Sequence, residues 1–160
     1  MKKVLLGLLL LLFIVGCKSK QKTTTDYPEV SKMTAVPASE VDKNQENKAY
    51  ELGKRVLMTC NTSKFKAFDA TEVTQEVMEN TTIERLTKTC TKFRQWYGTF
   101  IDLKLDGVYE TNEETVYRYH ALYTKKVANK ELRVFVNKDN LVSGIKSSDW
   151  DDNFESKLDK

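Results

Sequence analysis

Three cysteines, one histidine and a row of tyrosines are the side chains of this chain best suited to chemistry. Cys17 follows Gly16 at the end of an apolar run and is followed at once by Lys18, on a boundary between fatty and charged sequence. Cys60 and Cys90 have two readings: a bridge closing a loop of about 30 residues, worth about 3–4 kcal/mol through the unfolded chain, or two separate buried thiols acting as small hydrophobes. One histidine and no Cys-x-x-Cys spacing leave too few ligands for a metal site. The six glycines are scattered, without a phosphate-cradling loop or a serine elbow, so no cofactor is expected. His120 could serve as a general base only with a pocket and an orienting acid; its simplest reading is a partly exposed strand residue. Tyr117, Tyr119 and Tyr123 fall on one face of a strand. There, amphipathic rings can line an apolar cavity with hydroxyls at its rim, or pack as core under a helix.

The boundary at Cys17 is explained by what precedes it. Lys2 and Lys3 are followed by "VLLGLLLLLFIV", a run too short for the roughly 20 apolar residues that cross a bilayer. A basic start, a short apolar run and a small residue at its end make a secretory signal peptide over residues 1–16. The ending "IVGC" resembles the lipobox of bacterial lipoprotein precursors. The resemblance implies cleavage between Gly16 and Cys17, a diacylglyceryl group on the Cys17 sulfur, and acylation of the new amino group, with palmitate as the chain to label. Two or more acyl chains hold a protein on a membrane stably, where one does not. The implied location is the cell envelope. Because Lys18-Ser19 lacks the aspartate of the inner-membrane retention pattern, it is the periplasmic face of the outer membrane if the source has two membranes.

Cleavage removes Lys2 and Lys3 and leaves 24 basic against 23 acidic residues. Near-neutral charge argues against a nucleic-acid partner, which requires a basic face. Residues 17–45 hold both prolines, Pro28 and Pro37, with many Thr, Ser and Lys and no sustained apolar period. Such a composition has too little apolar surface to offset ordering entropy and reads as a tether.

Residues 46–158 are enough for one domain with its own core. In "NKAYELGKRVLMTC", Ala49, Leu52, Val56, Leu57 and Cys60 share one helical face. "SKFKAF" suggests a short helical turn carrying Phe65 and Phe68, and Asp69 with Glu72 suits a cap for the segment holding Val73, Val77 and Met78. Thr81 with Glu84 has capping-box spacing before a stripe of Ile83, Leu86, Cys90, Phe93 and Tyr97 that Gly98 ends. The period then becomes two. "FIDLKLDG", "TVYRYHALY", "ELRVFVN" and "LVSGIK" alternate as strands, and their short connections predict an antiparallel meander of four. Trp150, Phe154 and Leu158, spaced by four, suggest a last turn over a sheet edge.

This order of elements resembles the NTF2-like, or cystatin-like, superfamily, in particular its small domains in bacterial lipoproteins. The matching segments are "AYELGKRVLMTCNTSKFKAFD", "FRQWYGTFIDLKL", "VYRYHALYTKK" and "LRVFVNKDNLVSGI". The resemblance implies an α+β fold with N-terminal helices packed on a curved four-stranded antiparallel sheet that encloses a conical pocket. Asp102, Tyr117, Tyr119 and His120 are the side chains it nominates for that pocket, although neighbours on a strand point oppositely. The expected role is non-catalytic: binding a small apolar ligand or an envelope protein while anchored to the membrane. The alternatives are a small acid–base enzyme working in the cone and a purely structural envelope protein.

Overall fold

The computed structural model describes residues 33–154; Gly16, Cys17 and Leu158 lie outside the described residues. The elements are β1 (Thr34–Ala35), α1 (Lys43–Thr62), α2 (Gln75–Asn80), α3 (Ile83–Tyr97), β2 (Phe100–Glu110), β3 (Glu114–Tyr123), β4 (Lys130–Asn137) and β5 (Val142–Asp149). All neighbours in the sheet are antiparallel, in the order β1-β2-β3-β4-β5. The four-stranded sheet expected from the alternating segments is therefore corrected to five strands. The extra one, β1, pairs Thr34 with Glu110 and Ala35 with Tyr109, and Val36 N–H continues the contact to Val108 O at 2.8 Å. Two residues carry no readable alternation, and their strand exists only because the far end of β2 offers unpaired backbone groups. Residues 33–45, assigned to the tether by composition, thus join the domain, with Val36 and Val41 packed on its core.

α1 begins before the first apolar residue of its stripe because Asp42 caps it. The Asp42 carboxylate accepts from Asn44 N–H at 2.8 Å and Gln45 N–H at 3.2 Å. It ends at Ser63, whose φ of 56° is left-handed and whose N–H reaches Thr59 O. The following residues, expected to form a helical turn, are not helical. Phe65 and Phe68 hold them instead, edge to face at 5.2 Å, with the Arg55 guanidinium over Phe68. Asp69 closes a turn rather than a helix cap, accepting from Thr71 N–H. Arg55 and Glu72 clamp that turn to α1 through two hydrogen bonds of 2.8 and 2.7 Å. α3 is capped by Thr82, one residue later than the expected Thr81; the Thr82 hydroxyl accepts from Arg85 N–H at 3.3 Å.

The inner face of the sheet meets α1 and α2. Leu103, Tyr117, Tyr119, Ala121, Leu132, Val134 and Val136 are buried there with Ala49, Leu52, Leu57, Val73 and Val77. Gly53 sets the distance between layers. A Cβ at that position would stand 2.7 Å from Leu132 Cδ2 and 3.1 Å from Val134 Cγ2, so only glycine lets α1 lie this close to β4. α3 lies outside α1, and Cys90 is its one buried residue. Cys60 of α1 and Cys90 of α3 are joined by a disulfide, with Cα atoms 4.8 Å apart.

The tail covers the outer face of the sheet, not an edge. Phe154 is buried against Tyr109 at 4.9 Å, edge to face, and Trp150 stacks flat on His120 at 4.3 Å. No helix among the described residues is long and apolar enough to cross a membrane.

Candidate functional site

The alternation of β3 sends Tyr117, Tyr119 and Tyr123 inward, but they do not share one environment. Tyr117 and Tyr119 are 1 % exposed and fill the inner face as core. Tyr117 Oη donates to Gln45 Oε1 at 2.8 Å and Tyr119 Oη to Glu46 O at 3.2 Å, so both hydroxyls are satisfied by the first turn of α1. Burial pushes both phenols well above the usual tyrosine range. At the level of Tyr117 and Tyr119 the inner face of the sheet is packed core. Tyr123, at the end of the row, is half-buried; burial, then Tyr97, pushes its hydroxyl up to about 12.

Beside Tyr123 there is space. A cavity of about 140 Å³ lies between α1, α3 and the start of β2, walled chiefly by Val56, Leu57, Leu86, Phe93, Phe100 and Tyr123. Its few polar neighbours are peripheral, and one of them has a structural task. Asn61 Nδ2 donates to Phe100 O at 2.7 Å while its Oδ1 accepts from Phe100 N–H at 3.1 Å. That amide satisfies the first residue of β2 where the strand has no outer neighbour, and so fixes Phe100 as the floor of the cavity. Gly98 turns the chain from α3 into β2 at φ 81°. The Cys60–Cys90 bridge holds one side of α3, while Leu86 and Phe93, half-buried, line the cavity on the other. The site is apolar and walled by neutral groups.

The remaining nominated residues are elsewhere. Asp102 lies on β2 facing α1: Tyr50 Oη donates to Asp102 Oδ1 at 2.6 Å, and Lys54 Nζ donates to Tyr50 Oη at 2.7 Å and pairs with Asp102 at 3.0 Å. The Tyr50 hydrogen bond, then Lys54, holds the Asp102 carboxyl below the usual carboxylate range, and the same trio raises Lys54. Neither Asp102 nor His120 lines the cavity. A second concavity, at the opposite end, is polar and bordered by Glu110, Glu113, Glu114 and Lys138. Among the described residues no group of three His, Cys, Asp or Glu side chains is placed to hold a metal ion.

What the sequence reading missed is the pairing of the two stripes. Val56, Leu57 and Cys60 on α1, with Leu86 and Phe93 on α3, read as ordinary core faces. Their periodicity tells which residues face inward but not whether the helices close on each other. The usable signal was the wide, aromatic end of the α3 stripe, which needs more covering surface than α1 alone presents. The outer face holds a second surprise. Arg118 is 3 % exposed and Glu131 fully buried. Arg118 Nε donates to Glu131 Oε2 at 2.8 Å, Nη1 to Asp106 Oδ2 at 3.0 Å and Nη2 to Asp151 O at 2.7 Å. Ser148 and Arg133 serve the other Glu131 oxygen. Trp150 and Phe154 lie on the Arg118 guanidinium at 3.9 and 4.5 Å. Every polar atom of the Arg118 guanidinium has a partner, and Arg133 Nε is the one buried side-chain polar atom among the described residues left without one.

Comparison with known proteins gives no match: neither a family model, nor a curated protein, nor a solved structure is significantly similar to this chain.

Proposed function

We propose that this chain is a lipid-anchored protein of the bacterial envelope whose domain acts by binding, taking a small apolar group into the cavity between α1, α3 and β2. The observation that carries the binding reading is the cavity itself: about 140 Å³, walled by aliphatic and aromatic side chains. An apolar cavity of about 150 Å³ is large enough to take up benzene. The acid–base alternative lacks a comparable place, because Asp102 is engaged by Tyr50 and Lys54 and His120 is stacked under Trp150. The lipobox supports the anchor.

Two experiments test the two halves separately. Cells fed labelled palmitate should label the protein, and Cys17→Ala should abolish the label; an unlabelled native protein removes the anchor. For the cavity, hexanoate is a water-soluble probe of suitable size. It should raise the melting temperature of the native protein, and Leu86→Trp, which fills the space, should abolish that rise while leaving the fold intact by circular dichroism. No hexanoate effect on the native protein would count against the binding reading.

A further inference from the structure

Four large apolar side chains stand exposed among the described residues, and all four are at one end of the domain. They are Trp96 (56 % exposed), Ile101 (55 %), Leu122 (38 %) and Val127 (75 %). Backbone hydrogen bonds tie this end together. Thr124 N–H donates to Thr99 O at 2.9 Å and Lys125 N–H to Tyr97 O at 3.1 Å, so the α3–β2 link and the β3–β4 turn form one surface. Ile101 is the bulge residue opposite Tyr123 and Leu122. A bulge turns its side chain away from the ladder.

Exposed bases outnumber free acids at this end. Residues 91–101 contain Lys92 and Arg94 without an acid, and residues 121–130 contain Lys125, Lys126 and Lys130 with no acid either. Two nearby carboxylates are paired, Asp102 with Lys54 and Asp149 with Lys130, and Asp151 and Asp152 follow Trp150, whose N–H donates to Asn129 O at 3.0 Å. At the other end acids predominate: Glu110, Glu113 and Glu114 flank the β2–β3 turn, close to Asp42 and Glu46 at the start of α1, with Lys138 beside them and Lys43 paired to Glu46. Charge is thus weighted toward bases at the end bearing the exposed apolar groups and toward acids at the other. Solvation alone does not require that sorting, since basic residues serve equally well next to acids. Exposed tryptophan and aliphatic side chains among lysines and arginines match a layer with apolar depth below and negative charge above, which is the interface of an anionic bilayer.

The geometry points to this end as a membrane-docking surface: the Trp96/Ile101/Leu122/Val127 patch sits at the headgroup level of an anionic phospholipid bilayer, with Lys92, Arg94, Lys125 and Lys126 on the phosphates. The inference rests on the anchored reading for its local concentration. The tether permits it. The domain is entered at β1, by the acidic end, and β2 spans about 35 Å from there to Phe100. Residues 17–33 supply a reach of up to about 55 Å, enough to lay the domain on its basic end beside its own anchor. Docking so would bring the end of the domain that holds the cavity, with Phe93 and Tyr123 in its lining, toward the lipid surface.

The test uses the full-length processed protein reconstituted into vesicles, with Trp150→Phe so that Trp96 is the sole tryptophan. In vesicles containing phosphatidylglycerol, Trp96 emission should shift to the blue and be quenched by brominated acyl chains; in pure phosphatidylcholine it should stay open to acrylamide. Each lysine removed in Lys125→Gln and Lys126→Gln should lower the docked-to-free ratio about fivefold. Trp96→Phe, which leaves Trp150, should show no quenching by lipid. Should Trp150→Phe fail to fold, protection of Lys125 and Lys126 from an amine-reactive label on the unaltered chain gives the same answer. A Trp96 equally exposed in both lipids overturns the proposal, as does shielding in detergent that depends only on protein concentration, which marks a second copy as the occupant. Intact mass reports acylation of Cys17 independently. An unacylated chain that still sediments with phosphatidylglycerol vesicles retains the docking surface and loses the anchor, and an acylated chain with exposed Trp96 does the reverse.

Discussion

The two faces of one sheet are covered in opposite ways. On the inner face, β3 and β4 present Tyr117, Tyr119, Leu132 and Val134 to helices, and burial is apolar with each hydroxyl given one acceptor. On the outer face the same two strands present Arg118, Glu131 and Arg133, and a few tail residues lay Trp150 and Phe154 over them. The inner side tolerates an unfilled space, because an apolar cavity costs only lost contacts. The outer side holds its charges in pairs, because a buried charge without its partner costs several kcal/mol; among the buried side-chain polar atoms of the described residues, only Arg133 Nε is left unpartnered. The cavity therefore lies where the packing is apolar and stapled, and the ionic face holds the fold.

That contrast yields a ranking of substitutions. Glu131→Ala takes the buried carboxylate from Arg133 and from Arg118, which keeps Asp106 and Asp151 O, and should destabilise by about 3–5 kcal/mol in urea unfolding; a loss below about 1 kcal/mol would mean that water already reaches the network and that the faces are alike. Next is the staple. Cys60→Ser with Cys90→Ser should cost about 3–4 kcal/mol and should weaken hexanoate binding, because α3 then loses its covalent hold on the cavity. A stability loss with unchanged binding would show that the apolar stripe alone seats the helix. The cap is smaller. Asp42→Ala removes the acceptor for two N–H groups at the start of α1 and should cost about 1 kcal/mol.

The Arg55–Glu72 clamp gives a prediction in pH. Arg55 hydrogen bonds hold the Glu72 carboxyl below its usual range. A depressed folded-state value means the contribution is present above the unfolded pKa of about 4.3 and disappears as pH falls through the folded value. Stability of the native chain should accordingly decline more steeply below about pH 4 than that of Glu72→Gln, whose own cost near neutrality should be about 1 kcal/mol. Parallel acid curves would place the loss elsewhere.

Much of the architecture was legible in the residues and some could not be. The α3 stripe and the alternation of β2 to β5 exist because each element has one wet and one dry side, and periodicity reports that difference. β1 was invisible, as two residues have no period, and so was its effect on where the domain begins. The outer network was hidden by the same rule that revealed the strands: Arg118 and His120 fall on the polar phase of β3 and read as solvent-facing, while the tail that covers them lies more than 25 residues away. The hint was apolar content on that phase, in Val116 and Phe135, opposite Trp150 and Phe154 in the tail. Of the tyrosine row, Tyr123 lines the cavity beside α3, while Tyr117 and Tyr119 are core. Alternation places side chains on a face but says nothing of how far along it the covering helix reaches.

The most direct test of the central claim is a titration of the methyl-labelled native protein with hexanoate, followed by nuclear magnetic resonance. The account predicts saturable shifts confined to Val56, Leu57 and Leu86, with Leu132 and Val134 unmoved. Shifts that never saturate, or that spread across the inner face of the sheet, would contradict it.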